Sequence, residues 1–305
     1  MNPRFLSMII PARWFMGGRG LDAFRNRMLN DDRIRVIHDF PDAGDCFPGV
    51  EIKGGVCYFL WNRDSRGLCE VHSHNGRTVD ITVRPLLEEG METFIRNDTQ
   101  ISVLRKVWDK KEPSIEGWLN AGRYFGFHTK IDWDAKKEHG TIQTADGKAF
   151  IPMYSKQRND SDVKVYIHGG ECWLSRNNVP KNSTAIDVYK VIIPRSGNPG
   201  GSILGKPKLS EPNSCSSNTY VVAVPPSGSM TKEQAENLIA YLRTRFVRFL
   251  IATKTSTQDM PPKAYSFVPL QNFSQKWTDQ MLYEKYGLTE KEISTIEATI
   301  PSMDE

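Results

Sequence analysis

The chain has 305 residues and a mass of 34.7 kDa, room for about two domains. A hydrophobic share of 39%, a charged share of 25% and seven Trp exclude a disordered chain, and no apolar run reaches the roughly 18 residues of a membrane span. Five cysteines with no C-x-x-C pair exclude a disulfide framework and a zinc ribbon. A reduced, cytoplasmic protein without a signal peptide is expected, because no small-residue cleavage site follows the apolar stretch Phe5–Pro11.

In chain order, Leu6–Pro11 is a short apolar run that suits a buried parallel strand. Gly17, Gly18 and Gly20 follow, and Leu21, Phe24, Met28 and Leu29 then recur at helical spacing. Arg33–Phe40 alternates as a strand with Ile34, Val36 and His38 on one face. Gly54-Gly55 leads into a second apolar strand ending at Trp61. This is an α/β pattern closed by a hairpin. Residues 96–230 read as mixed α+β, with breaker-rich loops at Arg195–Ser202 and Ser210–Ser217. The β-branched runs Asp187–Pro194 and Thr219–Pro225 flank them as neighbouring strands. Thr231 and Gln234 form a capping box opening one long helix, with apolar residues from Ala235 to Leu250. A tail with a helix around Thr289–Ile300 ends the chain.

The net charge of +4 is unevenly spread: −1 over residues 1–95, +9 over 96–265 and −4 over 266–305. A basic block of that size is the footprint of a polyanion-binding surface. Its best-defined cluster is Arg243, Arg245, Arg248 and Lys254, which the helical pattern projects away from Leu242, Phe246 and Phe249. Arg195 and Asn198 sit in a glycine-rich loop that could reach a groove of DNA.

Catalytic motifs are scarce. There is no G-x-S-x-G elbow, Walker loop or H-E-x-x-H. The Gly17–Gly20 run lacks dinucleotide spacing and reads as a strand-to-helix turn. His72-Ser73-His74 has two histidines at metal-pair spacing without a third ligand, and reads as a loop without metal. Asp42, Glu51 and Lys53 follow the order of a metal-dependent PD…(D/E)xK nuclease at short spacing, with a hairpin turn as the blander reading.

The stretches LSMIIPARWFMGGRGLDAFRNRML, DDRIRVIHDF and CFPGVEIKGGVCYFLW resemble the second half of the catalytic domain in gamma-class N6-adenine DNA methyltransferases of restriction–modification systems. The fused restriction–methylase type is the nearest in kind. The ending YSFVPLQNFSQKWTDQMLYEKYGLTEKEISTIEATI resembles the carboxyl end of the same proteins. The resemblance covers about residues 1–65 and 230–300, and weakens where such enzymes place a variable target-recognition domain.

It implies an α/β fragment of a Rossmann-like methyltransferase sheet over 1–95, an α+β target-recognition domain over 96–265 and a helical tail over 266–305. In that family S-adenosylmethionine sits at the carboxyl ends of the first strands, and an Asn-Pro-Pro-Tyr/Phe motif holds the target amino group. Neither that motif nor the glycine-rich cofactor motif occurs here. The expectation is therefore a carboxyl-terminal half, inactive alone and binding no cofactor alone. Its expected partners are double-stranded DNA and an amino-terminal methyltransferase half, with no membrane. Phe47, in the Phe-Pro pair of DCFPGV, matches the family residue that stacks on the flipped adenine. Leu6–Pro11 should then be an exposed sheet edge, or one covered by another chain. A non-catalytic DNA-specificity module is the further alternative.

Overall fold

The computed structural model describes residues 3–16, 20–88, 91–96, 98–134, 138–198, 201–255 and 258–303. Gly17, Gly18 and Arg19 of the glycine-rich run lie outside them. The chain is a mixed α/β protein that divides into two compact units, residues 1–109 with 253–256, and residues 110–252 with 257–305.

The first unit is built on a five-stranded sheet of β1 (Phe5–Pro11), β2 (Ile34–Phe40), β3 (Val56–Asn62), β4 (Cys69–Asn75) and β5 (Thr78–Arg84), in the order β1-β3-β2-β4-β5. Helix α1 (Asp22–Leu29) links β1 to β2, and α2 (Asp98–Asp109) closes the unit. The expected hairpin is present, with β3 antiparallel to both β1 and β2. β1 departs from the buried parallel strand first read from its composition. It is an edge strand with a single antiparallel neighbour, and Phe5, Met8 and Ile9 are each about half exposed.

The strand β2 also departs from simple alternation. Its register with β3 slips between Ile34 and Val36. A bulge adds one residue and so reverses the faces beyond it. Ile34 and Ile37 are buried in the core with Trp14, Phe15, Leu29, Cys57, Phe59 and Val71, while His38 lies on the other face. The sequence had placed Ile34 and His38 together.

The loop 41–55 between β2 and β3 ends on a glycine that only glycine can be. Gly55 has φ +77°, and a Cβ there would stand 2.0 Å from the Phe40 carbonyl oxygen. Ala12 N–H donates to the Gly55 carbonyl at 2.9 Å, pinning the loop end beside β1.

The second unit carries two sheets. Six strands run in the order β14-β10-β11-β9-β8-β7 and four in the order β13-β12-β15-β6. The strands are β6 (Leu119–Asn120), β7 (Phe127–Asp134), β8 (His139–Thr144), β9 (Phe150–Tyr154), β10 (Asp162–Ile167), β11 (Gly170–Ser175), β12 (Lys190–Pro194), β13 (Lys208–Ser210), β14 (Ser214–Ser216) and β15 (Tyr220–Ala223). Phe127, Ile142, Met153, Val165 and Leu174 of the larger sheet share one core with Ile192 and Val222 of the smaller. β12 and β15 are antiparallel neighbours, as their β-branched composition suggests. Ser210–Ser217, expected as a loop, instead supplies the end of β13 and all of β14, which add onto edges of the two sheets.

The capping box at Thr231 opens α3 (Lys232–Arg243) as expected. The single long helix does not follow. Thr244 takes ψ 149° and breaks it before α4 (Arg245–Lys254). Asp279 at the start of α5 (Asp279–Tyr286) then accepts the Arg245 and Phe246 N–H groups at 3.0 and 2.8 Å, capping the new helix start. The tail is built into this unit. Phe246 stacks on Tyr286, Lys285 and Tyr286 both donate to Glu112, and α6 (Glu290–Thr299) has its own capping box.

Candidate functional site

β1, β2 and β4 point the same way, because β3 is antiparallel to β1 and β2 while β4 is parallel to β2. Their carboxyl ends at Pro11, Phe40 and Asn75 therefore lie together, where α/β sheets bind ligands. The loop 41–55 covers this end. Asp42 accepts Gly44 N–H at 2.8 Å to start a 3-10 turn, and Asp45 accepts Gly76 N–H at 3.0 Å to tie the loop to the end of β4. The next residue but one is Phe47, which is 39% exposed with Val50 beside it at 44%. Phe47 is not a core side chain, so its ring is available for stacking.

The core face of β2, one residue before the strand ends, holds a buried charge. Asp39 is fully buried, and neither carboxylate oxygen has a hydrogen-bond partner. Arg96 stands 3.4 Å away, donates to the Gly54 carbonyl at 2.5 Å and lies over the Phe15 ring. Burial raises the Asp39 carboxyl to about 6, against the opposing pull of Arg96 and Arg84. Arg96 thereby links Gly54, near the end of the loop, to Asp39 of β2. Nothing in the sequence marked Asp39 or Arg96, whose pairing spans a loop and a strand far apart in the chain.

The His72-Ser73-His74 segment is strand β4, not a loop. Both imidazoles face one side, as the spacing requires, and His38 of the adjacent strand joins them. His38 stacks between Tyr58 and His72 at ring separations of 4.3 and 3.9 Å, and its Nδ1 lies 2.9 Å from His74 Nε2. His74 stacks on Phe40, and Glu70 lies 2.6 Å from His72 Nε2. Burial first, then the His72 and His74 charges, pushes His38 down to about 4. Among the described residues no three His, Cys, Asp or Glu side chains are placed to hold a metal. Asp42 uses its carboxylate as a turn cap, while Glu51 and Lys53 are exposed on the loop, so this geometry lends the nuclease reading no support.

The predicted basic helix is corrected at Arg248. Its side chain is fully buried, with Nε donating to the Arg243 and Thr244 carbonyls at 3.0 and 3.2 Å and Nη1 to Ser202 at 3.3 Å. It satisfies carbonyls at the break between α3 and α4, a break the helical pattern did not foresee. Arg243, Arg245 and Lys254 are half-buried, and Arg245 lies 3.8 Å from Glu297. Arg195 pairs with Asp259 at 2.7 and 3.1 Å, whereas Asn198 is exposed. Lys206 and Lys208 are exposed on the same stretch of chain.

A cavity of about 500 Å³ in the first unit is lined by Leu29, Asp31, Ile34, Cys69, Leu86 and Met91. It opens at the amino ends of β2 and β4, the end opposite Phe47. Among the described residues no helix is long and apolar enough to cross a membrane.

Residues 1–47 match the family model described as Eco57I restriction-modification methylase. An "uncharacterized adenine-specific methylase" of Mycoplasma pneumoniae is 28% identical over 132 residues, 43% of this chain and 31% of that protein. Two solved structures align over most of the chain at low similarity. The type IIG restriction endonuclease BpuSI has 13% identity and a TM-score of 0.34, covering 93% of this chain and 42% of that one. The type IIL restriction-modification enzyme MmeI, solved with DNA, has 9% identity and a TM-score of 0.42, covering 97% and 49%. The chain thus spans less than half the length of the relatives it matches. Over these segments it is similar to a restriction-modification methylase family and to an adenine-specific methylase.

Proposed function

We propose that this chain is the carboxyl-terminal, DNA-recognising half of a site-specific N6-adenine methyltransferase, and works with an amino-terminal half that holds S-adenosylmethionine and the Asn-Pro-Pro-Tyr motif. The observation that carries the reading is β1. An apolar strand in the segment matching the methylase family stands at a sheet edge, with one neighbour and half-exposed side chains. A bare apolar edge is a template for another strand. In this reading the Rossmann-like sheet is completed there. Phe47, exposed on the loop at the carboxyl ends of the strands, stacks on the extruded adenine in this reading. The second unit is the target-recognition domain. Its DNA contacts centre on the stretch from Arg195 and Asn198 to Lys206 and Lys208, with Arg243 and Arg245 as further phosphate contacts, and Lys254 of the first unit adds another.

The test is complementation. The chain, a separately purified amino-terminal half from the same locus, and their mixture are assayed for methyl transfer from labelled S-adenosylmethionine to adenine in duplex DNA. Transfer by the mixture alone is expected. Transfer or tight S-adenosylmethionine binding by the isolated chain would overturn the division of labour. DNA affinity that does not fall with added salt would remove the basic surface from the reading.

A further inference from the structure

The loop 41–55 leaves the sheet after Phe40 of β2 and returns at Val56 of β3. Its two stems touch, since a Cβ on Gly55 would run into the Phe40 carbonyl oxygen. The buried cluster at its base is only Phe40, Ala43 and Val56, with Cys46, Ile52 and Tyr58 partly buried beside them. Three buried apolar residues are a small anchor for a loop of this length.

Polar ties supply the rest. Asp45 fastens the loop to Gly76. At the stems, Arg96 Nη2 donates to the Gly54 carbonyl while its Nε faces the Asp39 carboxylate at 3.4 Å. One guanidinium therefore clips the entry stem to the exit stem. Arg96 is itself held, because its carbonyl accepts the Ser73 hydroxyl at 2.6 Å and its guanidinium lies over the Phe15 ring. Ser73 of β4 and Cys57 of β3 are the residues that flank Asp39 in the sheet. A carboxylate is a costly group to bury for packing alone. Asp39 is fully buried without a hydrogen bond to either oxygen, and such groups concentrate where function demands a fixed geometry.

We infer that Asp39 and Arg96 are positioning residues that fix the loop 41–55, and through it the Phe47 ring, against the base to be methylated. The inference rests on the proposed function, because Phe47 stacks on adenine only in that reading. Arginine suits the role and lysine does not. Two nitrogens of its planar fork serve Asp39 and Gly54 at once, whereas an ammonium is a single point. The titratable groups facing Asp39 are Arg96, Arg84 and Cys57, whose thiol burial pushes up to about 12 and so keeps protonated. Ser73, Trp14 and Phe15 bring no charge to this side of the sheet. With the Asp39 carboxyl at about 6, the clip is charged at neutral pH and loses its anion in mild acid.

The test begins with amide hydrogen exchange on the full chain, for wild type, Arg96→Lys and Asp39→Asn. The reporters are the Phe47, Val50 and Gly55 N–H groups, which donate to the Ala43, Phe47 and Ile52 carbonyls at 2.8, 3.0 and 2.8 Å. Both variants should speed exchange there roughly tenfold, while the strand amides of Ile37 and Phe59 stay protected. After correction for intrinsic rates, wild type should loosen between pH 7 and 5, and Asp39→Asn should not. The histidines of the opposite face are present in both proteins, so the difference belongs to Asp39. If Asp39→Asn does not fold, Arg96→Lys still reads the clip, since it keeps the cation. Each variant is then mixed with the amino-terminal half from the same locus and with duplex DNA carrying 2-aminopurine at the target. The fluorescence rise should shrink and kcat for methyl transfer should fall about tenfold or more, with KM for DNA held within about twofold. Unchanged loop exchange would overturn the inference. So would a loosened loop with wild-type fluorescence and kcat, which would make the clip a matter of folding alone. A wild-type mixture with neither fluorescence rise nor methyl transfer would bring down the proposed function, and this role of the clip with it, whatever the exchange shows.

Discussion

The tripeptide Ile-Ile-Pro occurs twice as the end of a strand, at Ile9–Pro11 in β1 and Ile192–Pro194 in β12. The environments are opposite. Ile192 and Ile193 are fully buried between β13 and β15, whereas Ile9 is 48% exposed on a strand with one neighbour. Composition made both strands. The number of neighbours, and whether a layer covers the face, decided burial. The second unit covers most of its apolar side chains, leaving Phe150, Trp133 and Met281 exposed, whereas the first leaves apolar residues exposed across β1 and β5.

The largest test of this contrast is the same substitution at both sites. Ile192→Ala should cost about 2–5 kcal/mol of stability in urea unfolding, and Ile9→Ala less than about 1 kcal/mol in the isolated chain. Equal losses would mean that β1 is packed after all. In the second unit, Arg248→Ala removes the donors to three carbonyls and should cost about 2–4 kcal/mol, measured by thermal melting. DNA affinity of the folded fraction should be unchanged. A folded, stable variant that loses DNA binding would return Arg248 to the interface.

The first unit carries its strain as buried charge. Between pH 4 and 6 the folded chain retains a proton on Asp39 that the unfolded chain has released. This group's contribution to stability therefore declines as pH rises through that window, by roughly 1–3 kcal/mol. Denaturant midpoints of wild type and Asp39→Asn, taken at intervals over the window, should diverge in slope, with the variant flatter. Parallel slopes would show that Arg96 neutralises Asp39 fully. Smaller again is the helix break. Asp279→Ala deprives α4 of its cap and should cost about 1–2 kcal/mol on urea unfolding. The least effect on folding belongs to Phe47→Ala, below about 1 kcal/mol, because the ring is already exposed. In the reconstituted enzyme the same change should weaken the fluorescence rise of 2-aminopurine at the target position. An unaltered signal would remove Phe47 from base stacking.

Much of the architecture was legible in the residues. The capping box at Thr231, the helices over Asp22–Leu29 and around Thr289–Ile300 and the pairing of the two β-branched runs rest on local spacing and side-chain chemistry. At the carboxyl ends of the strands, Phe47 had been singled out by the resemblance of its Phe-Pro pair to a family motif. Arg248 was misread because helical periodicity continues through Thr244, where the helix restarts on caps from the Thr244 hydroxyl and from the Asp279 carboxylate far along the chain. The side chain of Ile34 was misread because a bulge reverses faces without altering the alternation of residue types.

The uneven charge, the scarcity of catalytic motifs and the methylase resemblance were properties of the sequence alone, because each depends on which residues are present and in what order. Only the tertiary structure could place Asp39 against Arg96, bring His38 between Tyr58 and His72, or leave Ile9 and Ile81 exposed. Strand order and register bring together residues that no local pattern connects, and burial follows from what neighbouring layers cover rather than from the hydrophobicity of the strand itself.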